Sequence, residues 1–203
     1  IENENLNNIV QTVGLNNNKS IYLCPSNAEL SGADIELYSM DDREWALGNA
    51  FKSSNLDNYQ YILIDCPPSL SLLTINAFAG SGSLLIPVQC EFYAMEGLAQ
   101  LQKTLDLIIE RLNQSLKIEG LLLTMFDSRN NICKTVEKEV RGFFKEKVLD
   151  TLIPKNVRLA ECPSFGKTIF DYDKDCIGAI SYLNLSKEIL VKNGGSTNEE
   201  SAW

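Results

Sequence analysis

The sequence predicts an α/β fold, a doubly wound, mostly parallel sheet with helices on both faces. Three observations carry that expectation. Short β-rich apolar runs alternate with longer segments whose apolar residues recur every three or four positions along the 203 residues. No internal repeat or obvious linker interrupts the alternation. Tyr61 to Ser69 reads YILIDCPPS, an apolar strand that ends on Asp65 and turns through Pro67 and Pro68. A carboxylate emerging from a buried parallel strand sits in the crevice where open α/β sheets bind ligands.

Each element carries its own signal. Leu6, Ile9, Val10 and Val13 lie at helical spacing in the Asn-rich start, so Ile1 to Val13 is expected to be helical. Ile21 to Cys24 is a short strand stopped by Pro25, and Ser26 or Asn27 is placed to cap a helix carrying Leu30 and Ile35. Asp41 or Asp42 caps the next helix, with Trp45, Leu47 and Phe51 as its apolar members. Tyr61 to Ile64 is a strand, Leu70 to Ala79 a helix and Ser83 to Val88 a strand. Glu91 to Asn113 is the longest helical signal, with Leu98, Leu101, Leu105, Ile108, Ile109 and Leu112 forming a core-facing stripe. Ile118 to Thr124 and Val148 to Ile153 are strands around a helix over Asn131 to Phe144, and Ile177 to Leu190 is a last helix.

Composition narrows the function classes. Apolar content of 44% with 22% charged residues predicts a globular chain with one sizeable core. The longest apolar runs are too short to span a bilayer, and residues 1–20 lack the basic-then-apolar order of a secretion signal, so a cytoplasmic protein is expected. Six cysteines at scattered spacings without C-x-x-C read as mostly buried, reduced thiols. The chain has no histidine, which excludes Ser-His-Asp and Cys-His mechanisms. The net charge of −9 argues against nucleic acid only as an average. Residues 111–174 carry 12 basic and 9 acidic side chains, against 4 and 14 in residues 1–110.

Taken one at a time, the motifs leave alternatives open. Asp65 has the right group and position to hold a Mg²⁺ water beside a nucleotide phosphate, or it caps the turn after the strand. A scan for a glycine-rich phosphate loop finds only Gly166-Lys167-Thr168, without the earlier glycine or the preceding strand. EFYAMEG at Glu91 to Gly97 reads on its own as a helix start with a packed aromatic pair. Lys134, Lys138, Arg141 and Lys145 recur at helical spacing beside Glu137, Glu139 and Glu146, the pattern of a solvated helix face.

In order, however, the motifs resemble the ParA/Soj family of chromosome and plasmid partitioning ATPases, relatives of MinD with a deviant Walker A loop. The resemblance rests on PSNAEL with GADIEL (Pro25 to Leu37), YILIDCPPSLSLL (Tyr61 to Leu73), PVQCEFYAMEGL (Pro87 to Leu98), GLLLTMFDSR (Gly120 to Arg129) and IPKNVRLAECPS (Ile153 to Ser164). It covers about residues 1–190 as one ATPase domain and leaves a polar tail, 191–203. It implies a P-loop NTPase-like sheet, with ATP and Mg²⁺ as cofactors. Asp65 would be the Walker B aspartate acting on the Mg²⁺ shell, and Met125, Pro154 and Asn156 would flank the adenine. Arg129 and Arg158 match family arginines that bind DNA without sequence preference, contacts that would be salt-sensitive. The partners implied are non-specific DNA, a ParB-type protein and a second copy of the chain, with no membrane and a nucleoid-associated place in the cytoplasm.

The sequence also departs from the family pattern. Lys155 replaces the usual arginine, keeping the charge but losing the bidentate fork. Phe165 stands before Gly166-Lys167 where histidine is usual. The family's first strand, its K-G-G-V-G-K-T loop and D-x-D-P-Q-G-N motif have no counterpart in these 203 residues. That departure predicts a polypeptide that is poorly stable and inactive as an ATPase by itself, with no catalytic residue of its own, the C-terminal portion of an enzyme. Two other functions stay open: a degenerate, non-catalytic DNA- or partner-binding module, and a MinD-like ATPase. The latter is disfavoured because the sequence Lys192 to Trp203 is polar and acidic, not the pattern of a basic amphipathic helix.

Overall fold

The computed structural model describes residues 5–14 and 20–195, which form two compact units: Ile1–Gly82 with Thr104–Leu116, and Ser83–Lys103 with Lys117–Trp203. Residues 1–4 of the expected first helix and 196–203 of the polar tail lie outside the described residues.

The first unit consists of short elements joined by polar side chains. Helix α1 (Leu6–Ile9) is capped by Asn5, whose side chain accepts from the Asn7 N–H. It ends at Val10, and the chain runs directly into β1 (Gln11–Gly14), antiparallel to β2 (Ser20–Leu23) with Gln11 opposite Leu23. The expected helix therefore stops at Ile9, and Val13 lies in a strand. Val10 takes extended backbone angles, and the cross-strand ladder with β2 satisfies groups that a continued helix would have bonded internally.

Helix α2 (Leu30–Tyr38) opens on a turn in which the Asn27 side chain accepts from the Glu29 N–H, and its Asp34 carboxylate accepts from the Leu73 N–H at 3.1 Å. A 3-10 turn over Arg43–Trp45 leads into α3 (Ala46–Ser53). Asp42 occupies its N-cap position in the left-handed region, φ 55°, and caps through its backbone oxygen, which accepts from the Trp45 N–H.

Helix α4 (Leu72–Gly80) buries Leu72, Ala77, Phe78 and Ala79, as expected of a helix apolar nearly all round. Two asparagines hold it. Asn76, 4% exposed, accepts from the Leu47 N–H and donates to the Arg43 and Leu72 carbonyls. Asn113 donates to the Phe78, Ala79 and Ser81 carbonyls, satisfying groups that every helix end leaves unbonded.

Segment 61–64 is not a strand. Tyr61 and Ile62 are each 48% exposed and Leu63 is 91% exposed, although the run has the composition of a buried strand. A strand is defined by its neighbours' hydrogen bonds, and among the described residues no backbone group of this run pairs with another segment.

The second unit is built on a three-stranded parallel sheet in the order β3 (Ser83–Gln89), β4 (Lys117–Phe126), β5 (Val148–Pro154). Helix α5 (Ala94–Arg111) comes after β3; its residues up to Lys103, with buried Leu98, belong to this unit, and those from Thr104, with buried Leu105 and Ile108, to the first. Helix α6 (Asn131–Phe144) joins β4 to β5, capped by the Asn130 side chain and burying Cys133, Val136 and Val140 along one stripe. The short α7 (Val157–Glu161) and α8 (Ile169–Asp173) precede α9 (Ile177–Lys192).

On β4, Leu122 packs with Leu149, Ile153 and the α9 residue Leu185, while Leu121 and Leu123, both 0% exposed, alternate to the opposite face. Both faces of the sheet are thus covered, the arrangement of a parallel α/β sheet. Two glycines permit close approach. A Cβ on Gly120 would lie 2.6 Å from Leu149, and one on Gly178 would lie 2.6 Å from Leu159.

The β4–β5 ladder slips between Leu121 opposite Val148 and Leu123 opposite Leu152, which leaves extra residues on β5. Side chains absorb the slip. Glu188 of α9 accepts from the Asp150 and Thr151 N–H groups at 2.7 and 2.9 Å, and Arg141 of α6 donates to the Leu149 carbonyl. Among the described residues no helix is long and apolar enough to cross a membrane.

Candidate functional site at the carboxyl edge of the sheet

In a parallel sheet every strand delivers its next turn to one edge. Met125, Arg129, Pro154, Asn156 and Arg158 all fall there, where β4 and β5 end. The Lys155 N–H donates to the Phe126 carbonyl at 3.0 Å and ties the two exits together.

Met125 is the unusual residue of β4. Between Leu123 opposite Leu152 and Phe126 opposite Pro154, β4 uses three steps and β5 two, so β4 carries an extra residue. Met125 takes left-handed angles there, φ 53°, and its side chain is half exposed. A methionine has no local means of offsetting that conformation, which costs about 1–3 kcal/mol, and such strained bulges cluster at ligand sites where they re-aim a side chain. Beside it, Pro154 ends β5. The Asn156 side-chain oxygen accepts from the Leu159 N–H and caps α7. Nothing in the sequence announced the bulge, because methionine is not a residue that favours positive φ.

The two arginines are exposed and already paired. Arg129 donates from Nε and Nη2 to the two Asp127 carboxylate oxygens, at 3.0 and 2.9 Å, and its own N–H donates to Asp127 Oδ1. These hydrogen bonds, with Lys155 adding a smaller attraction, hold the Asp127 carboxyl down at about 2. Arg158 bonds Glu161 at 3.1 Å and lies 3.4 Å from Asp173, while the Tyr172 hydroxyl donates to Glu161. Sequence reasoning missed Asp127, Glu161 and Asp173. Their spacing from the arginines, i−2 and i+3 for the first two, is the signal that could have found those two. Phe165 stacks on Tyr172 with ring centroids 5.1 Å apart, just before Gly166 at φ 61°.

Asp65 belongs to the first unit, on the exposed segment between Tyr61 and Pro67. Among the described residues no group of three or more His, Cys, Asp or Glu side chains is placed to hold a metal. Asp65 therefore has no all-protein cation cage around it.

The cysteines are free thiols, as expected, although Cys24 is exposed and Cys66 and Cys176 are only partly buried. Burial, with Cys133 and Glu137 nearby, pushes the Cys90 thiol up to about 11, so it is unreactive at neutral pH. An open recess of about 850 Å³ lies beside the start of β5, but Arg141 and Glu188 in its lining are spent on the β5 backbone.

Comparison with known proteins bears on the family. The AAA domain family matches residues 1–118. The chromosome partitioning protein ParA of Myxococcus xanthus is 51% identical over 173 residues, 85% of this chain and 61% of that protein. The sporulation initiation inhibitor protein Soj of Bacillus subtilis is 50% identical over 173 residues, 85% of this chain and 68% of its own length. The chain thus spans less than two thirds of the Myxococcus protein. Among solved structures, the Mycobacterium smegmatis cobyrinic acid a,c-diamide synthase with bound ADP and magnesium superposes with a TM-score of 0.71. It is 28% identical and covers 94% of this chain and 69% of its own. With a parallel sheet flanked by helices and half of its aligned residues identical to those of such relatives, the chain belongs to the ParA/Soj family of partitioning ATPases and has their P-loop NTPase type of fold.

Proposed function

We propose that the protein to which this chain belongs is a Mg²⁺-ATP-dependent partitioning ATPase that binds DNA without sequence preference, dimerises and is stimulated by a ParB-type protein. It would work in the cytoplasm on the nucleoid, moving a chromosome or a plasmid. The observation that carries this reading is the gathering of five residues at one sheet edge. Met125 is half exposed on a strained bulge beside Pro154 and Asn156, with Arg129 exposed on the turn after β4 and Arg158 exposed on α7.

The residues present fit a nucleotide in part. A methionine flank and a proline edge are apolar surfaces suited to an adenine ring, and the Asn156 carboxamide is fixed by its cap to α7. Asp65 would take the waters of the Mg²⁺ that accompanies the phosphates. When bound, Mg²⁺-ATP supplies the phosphoanhydride bond that is hydrolysed; the chain's own residues bind and orient. Arg129 and Arg158 would contact phosphodiester oxygens, which carry no sequence information, so binding should fall steeply with salt.

The test is fluorescence anisotropy with an arbitrary labelled duplex and Mg²⁺-ATP. Arg129→Glu and Arg158→Glu should each weaken binding to every sequence tried, while binding of a fluorescent ATP analogue stays as in the parent protein. Duplex binding unchanged by both substitutions at moderate salt would refute the DNA reading. Met125→Gly, which relieves the backbone strain but removes the apolar flank, should weaken the ATP analogue without touching DNA.

A further inference from the structure

We infer that Asp127 is a built-in counterion for Arg129, and Glu161 with Asp173 for Arg158, and that these carboxylates set the strength and salt sensitivity of the phosphate contact. The inference rests on the DNA reading above and adds a device to it.

The geometry makes the case. Arg129 is 88% exposed at its side chain, yet it does not sample solvent freely: Nε and Nη2 form a two-pronged bond with both Asp127 oxygens. That uses the side-on edge of the guanidinium, the edge that otherwise gives a bidentate grip on a phosphate. Asp127 is held in turn, because its Oδ1 also accepts from the Arg129 backbone N–H and its backbone oxygen accepts from the Asn130 N–H. The carboxylate is therefore part of the turn and moves with the arginine wherever the turn goes. Arg158 repeats the arrangement from a helix, with Glu161 one turn on and Asp173 contributed by α8.

An arginine facing water gathers mobile anions or leaves its charge bare, and its contact with DNA phosphate releases a condensed cation from the polyanion. An arginine already neutralised by its own carboxylate offers less net charge. Either the carboxylate stays and repels the incoming phosphate, or the ion pair opens and its energy is lost. Both routes weaken binding at low salt and flatten its salt dependence. The device suits a protein that must hold DNA loosely and leave it.

Asp127→Asn tests this, since asparagine keeps the oxygen that accepts from the Arg129 N–H. Binding to a labelled duplex, with Mg²⁺-ATP present, should tighten about two- to fivefold at low salt, the range of one exposed ion pair. The plot of log K against log salt should steepen by up to about 0.9, one phosphate's worth. Glu91→Gln removes a negative charge from an exposed residue at the same sheet edge without releasing an arginine, and should tighten binding less.

Equal gains from both would show a plain net-charge effect and overturn the inference, as would unchanged or weaker binding by Asp127→Asn. If the Asp127→Asn melting temperature drops, Asp173→Asn serves in its place and must show the same direction. Arg129→Gln separates the two claims. If it weakens binding while Asp127→Asn changes nothing, only the counterion role fails; if neither changes binding, the DNA reading fails with it.

Discussion

The two units of this chain are held by different forces. In the second, consecutive leucines of β4 are buried on both faces and glycines let neighbouring side chains close in. In the first, short helices are joined by amide side chains: Asn76 and Asn113 between them make six of the bonds that fix the ends and flank of α4. Apolar packing of this kind is most sensitive to added volume. A polar bridge is most sensitive to loss of a hydrogen-bonding group, because a buried carbonyl without its donor costs its full desolvation.

The largest effect should come from the polar side. Asn113→Leu keeps the volume but strips three carbonyls, at Phe78, Ala79 and Ser81, of their donor. A loss of about 3 kcal/mol is expected in urea unfolding, at 1–3 kcal/mol for each buried group left unsatisfied and with partial relaxation. A variant as stable as the parent would show that apolar packing alone holds α4, and the contrast between the units would collapse.

Second in size is Gly120→Ala. The new methyl would meet Leu149, 1% exposed, at 2.6 Å, so a cost of about 1–3 kcal/mol is expected from overpacking. Leu149→Val should recover part of it, and the double mutant should be less destabilised than the two single changes added together. Strict additivity would mean that the clash is relieved by backbone movement elsewhere.

The same contrast explains what could be read from the sequence. In the second unit β3, β4, β5, α6 and α9 begin and end within a few residues of expectation, because strands covered on both faces print apolar runs and amphipathic helices print a stripe. In the first unit the Asn-rich start has helical spacing through Val13, yet the helix stops at Ile9, since the hairpin ladder claims Gln11 to Gly14. Asn113 reads in the sequence only as the end of a helix, though it is the bridge to α4; side-chain bonds to distant carbonyls leave no periodic trace. Tyr61 to Ile64 shows the limit in the other direction, a strand-like composition without a strand's hydrogen bonds.

At the site, only the family resemblance singles out Arg129 and Arg158. The carboxylates that hold them leave no mark in regional charge, because a net charge is the same for a paired arginine and a bare one.

The smallest effect is the one that mixes both forces. Glu188 projects from α9, which packs on the apolar sheet, but does a polar job, accepting from the Asp150 and Thr151 amides where β5 slips out of register. Burial alone would raise its pKa; the hydrogen bonds from Thr151 and Asp150 and the nearby Lys192 outweigh that and hold it below the ordinary 4.5. A carboxyl depressed in the folded state adds stability that is complete above its unfolded value and is lost as pH falls through the folded one. Glu188→Gln keeps the shape and one acceptor, so at pH 7 it should cost about 1 kcal/mol or less, discounted for the group's partial exposure. Below pH 4.5 the parent and the variant should converge as the carboxyl takes up its proton. A gap that persists unchanged into acid would mean that Glu188 serves by shape alone, and that the slip in β5 needs no charge to hold it.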